Sequence, residues 1–401
     1  MSRRVYIHVG LPKTGTSYVQ RALWRNKDRL AEHAIALPGE TQQFQRRGVW
    51  DLMGRRLEGG DQPLIPGSWQ TLVDDIHDGA DETAILSEEF LVHARPAQAR
   101  KIVRDLNPAE VHIVVTVRDL TRVIGSMWQH EVSQGATWPW SEFVAAVHNP
   151  KQGPPTAGVG FWLRYDLRRV LDVWEAAVPA QRIHIVVVPT SSAPPTRLLE
   201  LFAQATNIED VALTPPDQIA NTSVGVIETE VLRRLNAGLD GRLNERQYLW
   251  VLDHALKPAL RARGGSSRLR IPDEYHAWLS ARSSEMMHFL LASDYHVVGD
   301  VEDLLSAGSA LDGVDPGELD DHDPLEAAMS ALTGITEHYA NYWWKVRKRK
   351  DVDEAKTLTQ LVSSGRALGF RARTKAFELA DRNRLLAHAA RTYLRRRSRH
   401  I

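Results

Sequence analysis

No other stretch limits what this chain can fold into as much as Val5-Tyr6-Ile7-His8-Val9-Gly10-Leu11-Pro12-Lys13-Thr14-Gly15-Thr16-Ser17. An apolar run with a β-branched start and end reads as a buried strand. A Gly/Pro/Lys turn follows, and Thr16-Ser17 then opens a helix through Tyr18-Val19-Gln20-Arg21-Ala22-Leu23-Trp24. A strand, a phosphate-sized loop and a helix N-terminus together make an anion site. Successive backbone N–H groups point at one spot, and the helix dipole adds partial positive charge there.

The nucleoside-triphosphate loop is G-x-x-x-x-G-K-[ST], with lysine beside the hydroxyl residue. Here Gly10 and Gly15 keep that spacing, but Thr16 follows Gly15 and the lysine stands at Lys13, directly after Pro12. The run Pro12-Lys13-Thr14-Gly15-Thr16-Ser17 resembles the 5′-phosphosulfate loop of the sulfotransferases that use 3′-phosphoadenosine-5′-phosphosulfate (PAPS) as donor. The resemblance implies that Lys13 reaches the oxygen bridging phosphate and sulfate. It also makes all six residues binding groups for the donor and for its product, adenosine 3′,5′-bisphosphate.

Further apolar runs follow: Thr83–Ser87, Val111–Val117 and Arg182–Val188, with helical patterns such as Ala97–Leu106 and Phe161–Ala177 between them. Near-continuous apolar strands alternating with helices predict an α/β fold, a P-loop-like parallel sheet flanked by helices, with ligands at the strands' carboxyl ends. Strands are expected to stop near residue 215. Expected regions are thus a donor-binding core over 1–215, a helical region over 216–305 that completes the acceptor pocket, and a helical C-terminal extension over 306–401. Helices are expected at Val226–Leu235, from Pro272 to Leu291, at Leu325–Lys345 and at Ala355–Arg397. Gly153-Pro154-Pro155-Thr156-Ala157-Gly158 reads as a breaker loop on the substrate side.

A second constellation is Arg118, delivered at the end of a strand, with Ser126 eight residues on. A planar cationic fork and a hydroxyl suit a phosphate, and the spacing resembles the 3′-phosphate motif of the same family. Otherwise Arg118 caps the sheet in a salt bridge with Asp119 or another neighbour. A third is Ser87-Glu88-Glu89-Phe90-Leu91. Sulfuryl transfer to a hydroxyl needs a proton acceptor, and a desolvated carboxylate can serve. This segment looks like the Ser-x-Glu turn of bacterial members, which favours Glu89 over Glu88 as the base. His130 and Glu131, just after Ser126, are the second candidates.

The resemblance to bacterial, actinobacterial-type PAPS-dependent sulfotransferases extends over roughly the first 300 residues. Asn221-Thr222-Ser223-Val224-Gly225 and Tyr295–Leu304 resemble phrases of that group. The first also fits a glycosylation sequon, expected to be accidental. Arg263-Gly264-Gly265-Ser266-Ser267-Arg268 is a candidate for the glycine-rich loop that closes over the donor in other branches, although its residue order differs. Twelve tryptophans leave the residue that stacks on adenine unassigned.

The chain has no cysteine, which excludes disulfides, thiolate metal sites and cysteine nucleophiles and favours a cytoplasmic location. No metal is required by the expected chemistry. No apolar run approaches the roughly 18 residues of a membrane span, and cleaving an N-terminal signal would destroy the first loop, so export is not expected. The formal net charge is zero, but it is segregated. Residues 300–326 carry ten Asp/Glu and no Lys or Arg, whereas residues 342–401 carry 17 Lys/Arg against five acids. Either these segments pack together, or the tail, with Trp343-Trp344 and Tyr393 beside its basic runs, meets an anionic membrane surface at the inner face; nucleic acid is the least favoured partner. The acceptor is expected to be a small molecule, a glycan or a lipid-linked compound. A P-loop kinase or ATPase and a non-catalytic membrane-surface module are the alternatives.

Overall fold

The computed structural model describes residues 3–55, 66–216, 224–263, 268–305 and 313–354. Six strands appear among them: β1 (Arg4–His8), β2 (Ile35–Ala36), β3 (Thr83–Ser87), β4 (Glu110–Val117), β5 (Ile183–Val187) and β6 (His296–Val298). They form one sheet in the order β2-β3-β1-β4-β5-β6, and every neighbouring pair is parallel. The expected α/β class is what the chain adopts. Val5, Tyr6, Ile7, Ile113, Val114, Val115, Ile183, Ile185 and Val186 are sealed from solvent, as a sheet covered by helices on both faces requires. The chain runs from β1 to one side of the sheet and from β4 to the other. This places a topological switch point between the ends of these two neighbours, where α/β sheets open a crevice.

Strands do not stop near residue 215. The segment Tyr295–Leu304 supplies β6, which pairs with β5 through His184↔His296, Ile185↔Val297 and Val186↔Val298. Three residues at a sheet edge leave too short an apolar run to stand out. Gly299, at φ +100°, ends the strand where a Cβ would lie 2.9 Å from the carbonyl oxygen of Val187.

Residues 161–177 are not one helix. Pro155–Tyr165 and Leu167–Glu175 are separate, and the side chain of Asp166 between them accepts the amide of Arg169 at 3.1 Å. An aspartate that caps a new helix N-terminus ends the previous one. Nor are residues 155–158 a loop: Pro155 opens the Pro155–Tyr165 helix, the first-turn position where proline loses no hydrogen bond. Gly158 is required there, because a Cβ would overlap the carbonyl oxygen of Ala146 in the neighbouring helix Trp140–His148.

The expected helices beyond residue 215 appear at Val226–Leu239, His276–Leu291 and His322–Glu354. Two compact units divide the chain, Met1–Leu332 and Thr333–Ile401, and the first contains the whole sheet. The sequon at Asn221, residues 264–267 of the glycine-rich loop and the helix expected at Ala355–Arg397 lie outside the described residues. Among the described residues no helix is long and apolar enough to cross a membrane.

Candidate active site

Beyond β1 the chain stays paired with β4, the amides of Val9 and Leu11 donating to the carbonyls of Val114 (3.0 Å) and Thr116 (2.9 Å). It then turns tightly, with Gly10, Lys13 and Gly15 all at positive φ (73°, 65° and 87°). A Cβ at Gly10 would crowd Thr16 Cγ2 at 3.0 Å and Glu89 Cβ at 3.2 Å, and the positive φ would strain a larger residue there. Lys13 holds a backbone conformation that glycine or asparagine would adopt more readily, the kind of local strain that clusters at functional sites. Gly15 precedes the helix Thr16–Arg25, whose start is capped by no side chain among the described residues. The amides of Tyr18 and Val19 donate to the carbonyl of Gly15 at 2.9 and 3.1 Å, while those of Thr16 and Ser17, residues that line the cavity, have no intrahelical acceptor.

A chain of buried polar contacts holds this loop from below. His8 Nδ1 lies 2.8 Å from Ser87 Oγ and Nε2 lies 3.3 Å from Thr116 Oγ1. Thr116 Oγ1 is in turn 2.6 Å from Thr14 Oγ1, whose hydroxyl donates to the carbonyl of Leu11. Complete burial pushes His8 down to about 3, so the ring is neutral at physiological pH. Among the loop residues expected to bind the donor, Thr14 turns its side chain away from the cavity. It is fully buried and faces the sheet, while Pro12, Lys13, Gly15, Thr16 and Ser17 line the cavity.

The two glutamates after β3 separate in role. Glu88 is 2 % exposed, and its amide donates to the carbonyl of His8 at 3.0 Å. Its carboxylate accepts from Arg46 Nε at 3.3 Å and from the amide of Phe90 at 3.3 Å, capping the 3-10 turn Glu89–His93. Burial raises its pKa and Arg46 opposes the rise. Glu88 is committed to structure. Glu89 stands at the loop, its Oε2 accepting the hydroxyl of Thr16 at 2.6 Å.

Arg118 does not pair with Asp119. Asp119 caps the helix Leu120–Ser133 and forms its ion pair with Arg122 one turn on. Arg118 instead donates from one terminal nitrogen to the carbonyl of Lys13 at 3.3 Å, and its Nε is buried with no partner. Burial, and then the charge of Arg122, push it down to about 10, so it stays cationic at neutral pH. An unpaired donor on a buried guanidinium is destabilising until an anion arrives. Ser126 lines the same cavity. His130 does too, but burial and then Lys13, Arg164 and Lys257 push it down to about 3, a poor proton acceptor. Glu131 is taken by Arg164 at 2.8 Å.

The three constellations therefore meet over the ends of adjacent strands β3, β1 and β4, around a cavity of about 760 Å³. Its wall carries Lys13, Arg21, Arg46, Arg55, Arg118 and Arg164 against only Glu88 and Glu89, so it favours an anion. Arg21, Arg46, Arg55 and Arg164 are not legible in the sequence. Each sits on or next to a helix, where an arginine reads as a solvated residue. Among the described residues no three His, Asp or Glu side chains gather as metal ligands.

No family model and no curated protein matches the chain. Among solved structures, it is similar to the crystal structure of a sulfotransferase from Alicyclobacillus acidocaldarius, at 14% identity and a TM-score of 0.38, over 63% of this chain and 97% of that one.

Proposed function

We propose that the protein is a sulfotransferase that moves a sulfuryl group from PAPS to a hydroxyl, or an amine, of its acceptor. The observation that carries this reading is the meeting of Lys13 and Arg118 on one cationic cavity, with Glu89 at its loop. The unpartnered Nε of Arg118 and the uncapped start of the helix Thr16–Arg25 fit a ligand with two separated anionic groups. The donor supplies an activated sulfuryl group on a phosphate leaving group. Arg118 and Ser126 hold the 3′-phosphate. The loop amides, Thr16, Ser17 and Lys13 hold the phosphosulfate.

As the acceptor oxygen bonds to sulfur, Glu89 takes its proton, and the electron pair of the breaking S–O bond goes to the phosphate oxygen. Lys13 and the loop amides face that developing charge, preorganised by the turn and by the hydrogen-bond chain beneath it. A kinase or ATPase would place lysine directly after Gly15, and Thr16 stands there.

Thermal unfolding with adenosine 3′,5′-bisphosphate, ATP and ADP tests the reading. At ligand a hundredfold above its dissociation constant, the bisphosphate stabilises the protein by about 2.7 kcal/mol. Arg118→Ala weakens that binding by roughly tenfold or more, as expected when a charge-assisted hydrogen bond to phosphate is removed. A preference for ATP, or a bisphosphate affinity indifferent to Arg118→Ala, overturns it.

A further inference from the structure

The donor's binding groups come from the β1 loop and from the segment after β4. The β3 side of the cavity has a different wall. There the 3-10 turn Glu89–His93 presents Phe90 and His93, and the helix Gln42–Leu52 presents Arg46 and Trp50. The guanidinium of Arg55 lies over both aromatic faces, 4.6 Å from the ring centre of Trp50 and 4.9 Å from that of Phe90. The rings of Phe90 and His93 are 5.2 Å apart.

Positive charge accumulates at this end. Arg46 is offset by Glu88 and Arg164 by Glu131, while Arg169 donates to the carbonyls of Val92 and Leu163. Arg55 has no carboxylate partner among the described residues. Burial and then the fields of Arg164, Arg169 and Arg55 push His93 down to about 4, so positive charge dominates around that ring. Arg55 is exposed but lines the cavity. A neutral acceptor would leave it to water and the two aromatic faces, whereas an anionic one would form a charge-assisted hydrogen bond with a cation that those faces hold in place.

We propose that the acceptor is itself an anion: a hydroxyl compound bearing a carboxylate, sulfate or phosphate that docks on Arg55, which Trp50 and Phe90 hold in place, with its hydroxyl toward Glu89. This rests on the sulfotransferase reading and adds the chemical class of the second substrate.

Calorimetric titration of the full chain, saturated with adenosine 3′,5′-bisphosphate, tests it. The probes are 4-nitrophenyl β-D-glucuronide, 4-nitrophenyl phosphate and 4-nitrophenyl sulfate against neutral 4-nitrophenyl β-D-glucoside. At least one anionic probe binds about tenfold or more tighter than the glucoside, the margin expected for one charge-assisted hydrogen bond. Arg55→Gln abolishes that margin and leaves the bisphosphate dissociation constant within about twofold, as expected for a change confined to one subsite. Equal binding of all four probes, binding of none, or a margin that survives Arg55→Gln overturns the proposal while sulfotransferase activity stands. Failure of the bisphosphate to bind wild type overturns both readings.

Discussion

Lys13→Ala lowers the rate of sulfuryl transfer two to three decades, the loss on the order of 3–4 kcal/mol expected when one preorganised donor to a developing negative charge is removed. The effect falls on the chemical step rather than on donor affinity, because the loop amides and Arg118 still hold the two ends of the nucleotide. Single-turnover passage of labelled sulfate from PAPS into an extract of cells lacking the protein measures the first quantity. Adenosine 3′,5′-bisphosphate titration measures the second. Burial lowers the pKa of Lys13 from its ordinary 10.5, and Glu89 opposes the shift. The amine stabilises charge only while protonated, so the alkaline limb of the rate profile falls below 10.5 and vanishes in the alanine variant. A loss smaller than tenfold would remove Lys13 from the reaction.

Glu89→Gln is the second large effect. Removing a general base cuts the transfer rate by about 10²–10⁴-fold. The amide keeps the size of the side chain and can still accept from Thr16, so donor affinity is little changed. Phenolic acceptors, whose hydroxyl releases its proton more readily, suffer less than alcohols; a merely structural glutamate would show no such dependence. Glu88→Gln behaves differently. It weakens the ion pair of buried Glu88 with half-exposed Arg46 and a cap on the 3-10 turn, and so it lowers thermal stability before it touches the acceptor-dependent rate. If the two variants exchange these behaviours, the base is Glu88 and the division of roles drawn from their burial is wrong.

The parts of this molecule that the sequence makes legible are those encoded within a dozen consecutive residues. The strand, glycine turn and helix around Lys13 are punctuated locally. So are the apolar runs of β3, β4 and β5, because parallel strands buried on both faces have few polar interruptions. Their adjacency is another matter. Glu89, Lys13 and Arg118 meet only because β1 lies between β3 and β4, and strand order leaves no mark on any one strand. Short or edge elements, such as β2 and β6, gain their structure from pairing rather than from pattern. The break at Asp166 is hidden for a related reason: an apolar period of 3.6 continues across it, and only the capping bond to Arg169 ends the helix. Thr14 reads as a loop residue like its neighbours, yet a turn with positive φ at Lys13 sends the next side chain inward.

The hydrogen-bonded line from Ser87 through His8 and Thr116 to Thr14 has a consequence for how damage to this protein would present. It stitches together the three strands whose tips carry the glutamate, the lysine and the arginine, so those tips share one foundation. A defect at His8, a residue without access to any ligand, would misalign all three together. In a screen of variants it would be mistaken for a wound to the candidate site itself.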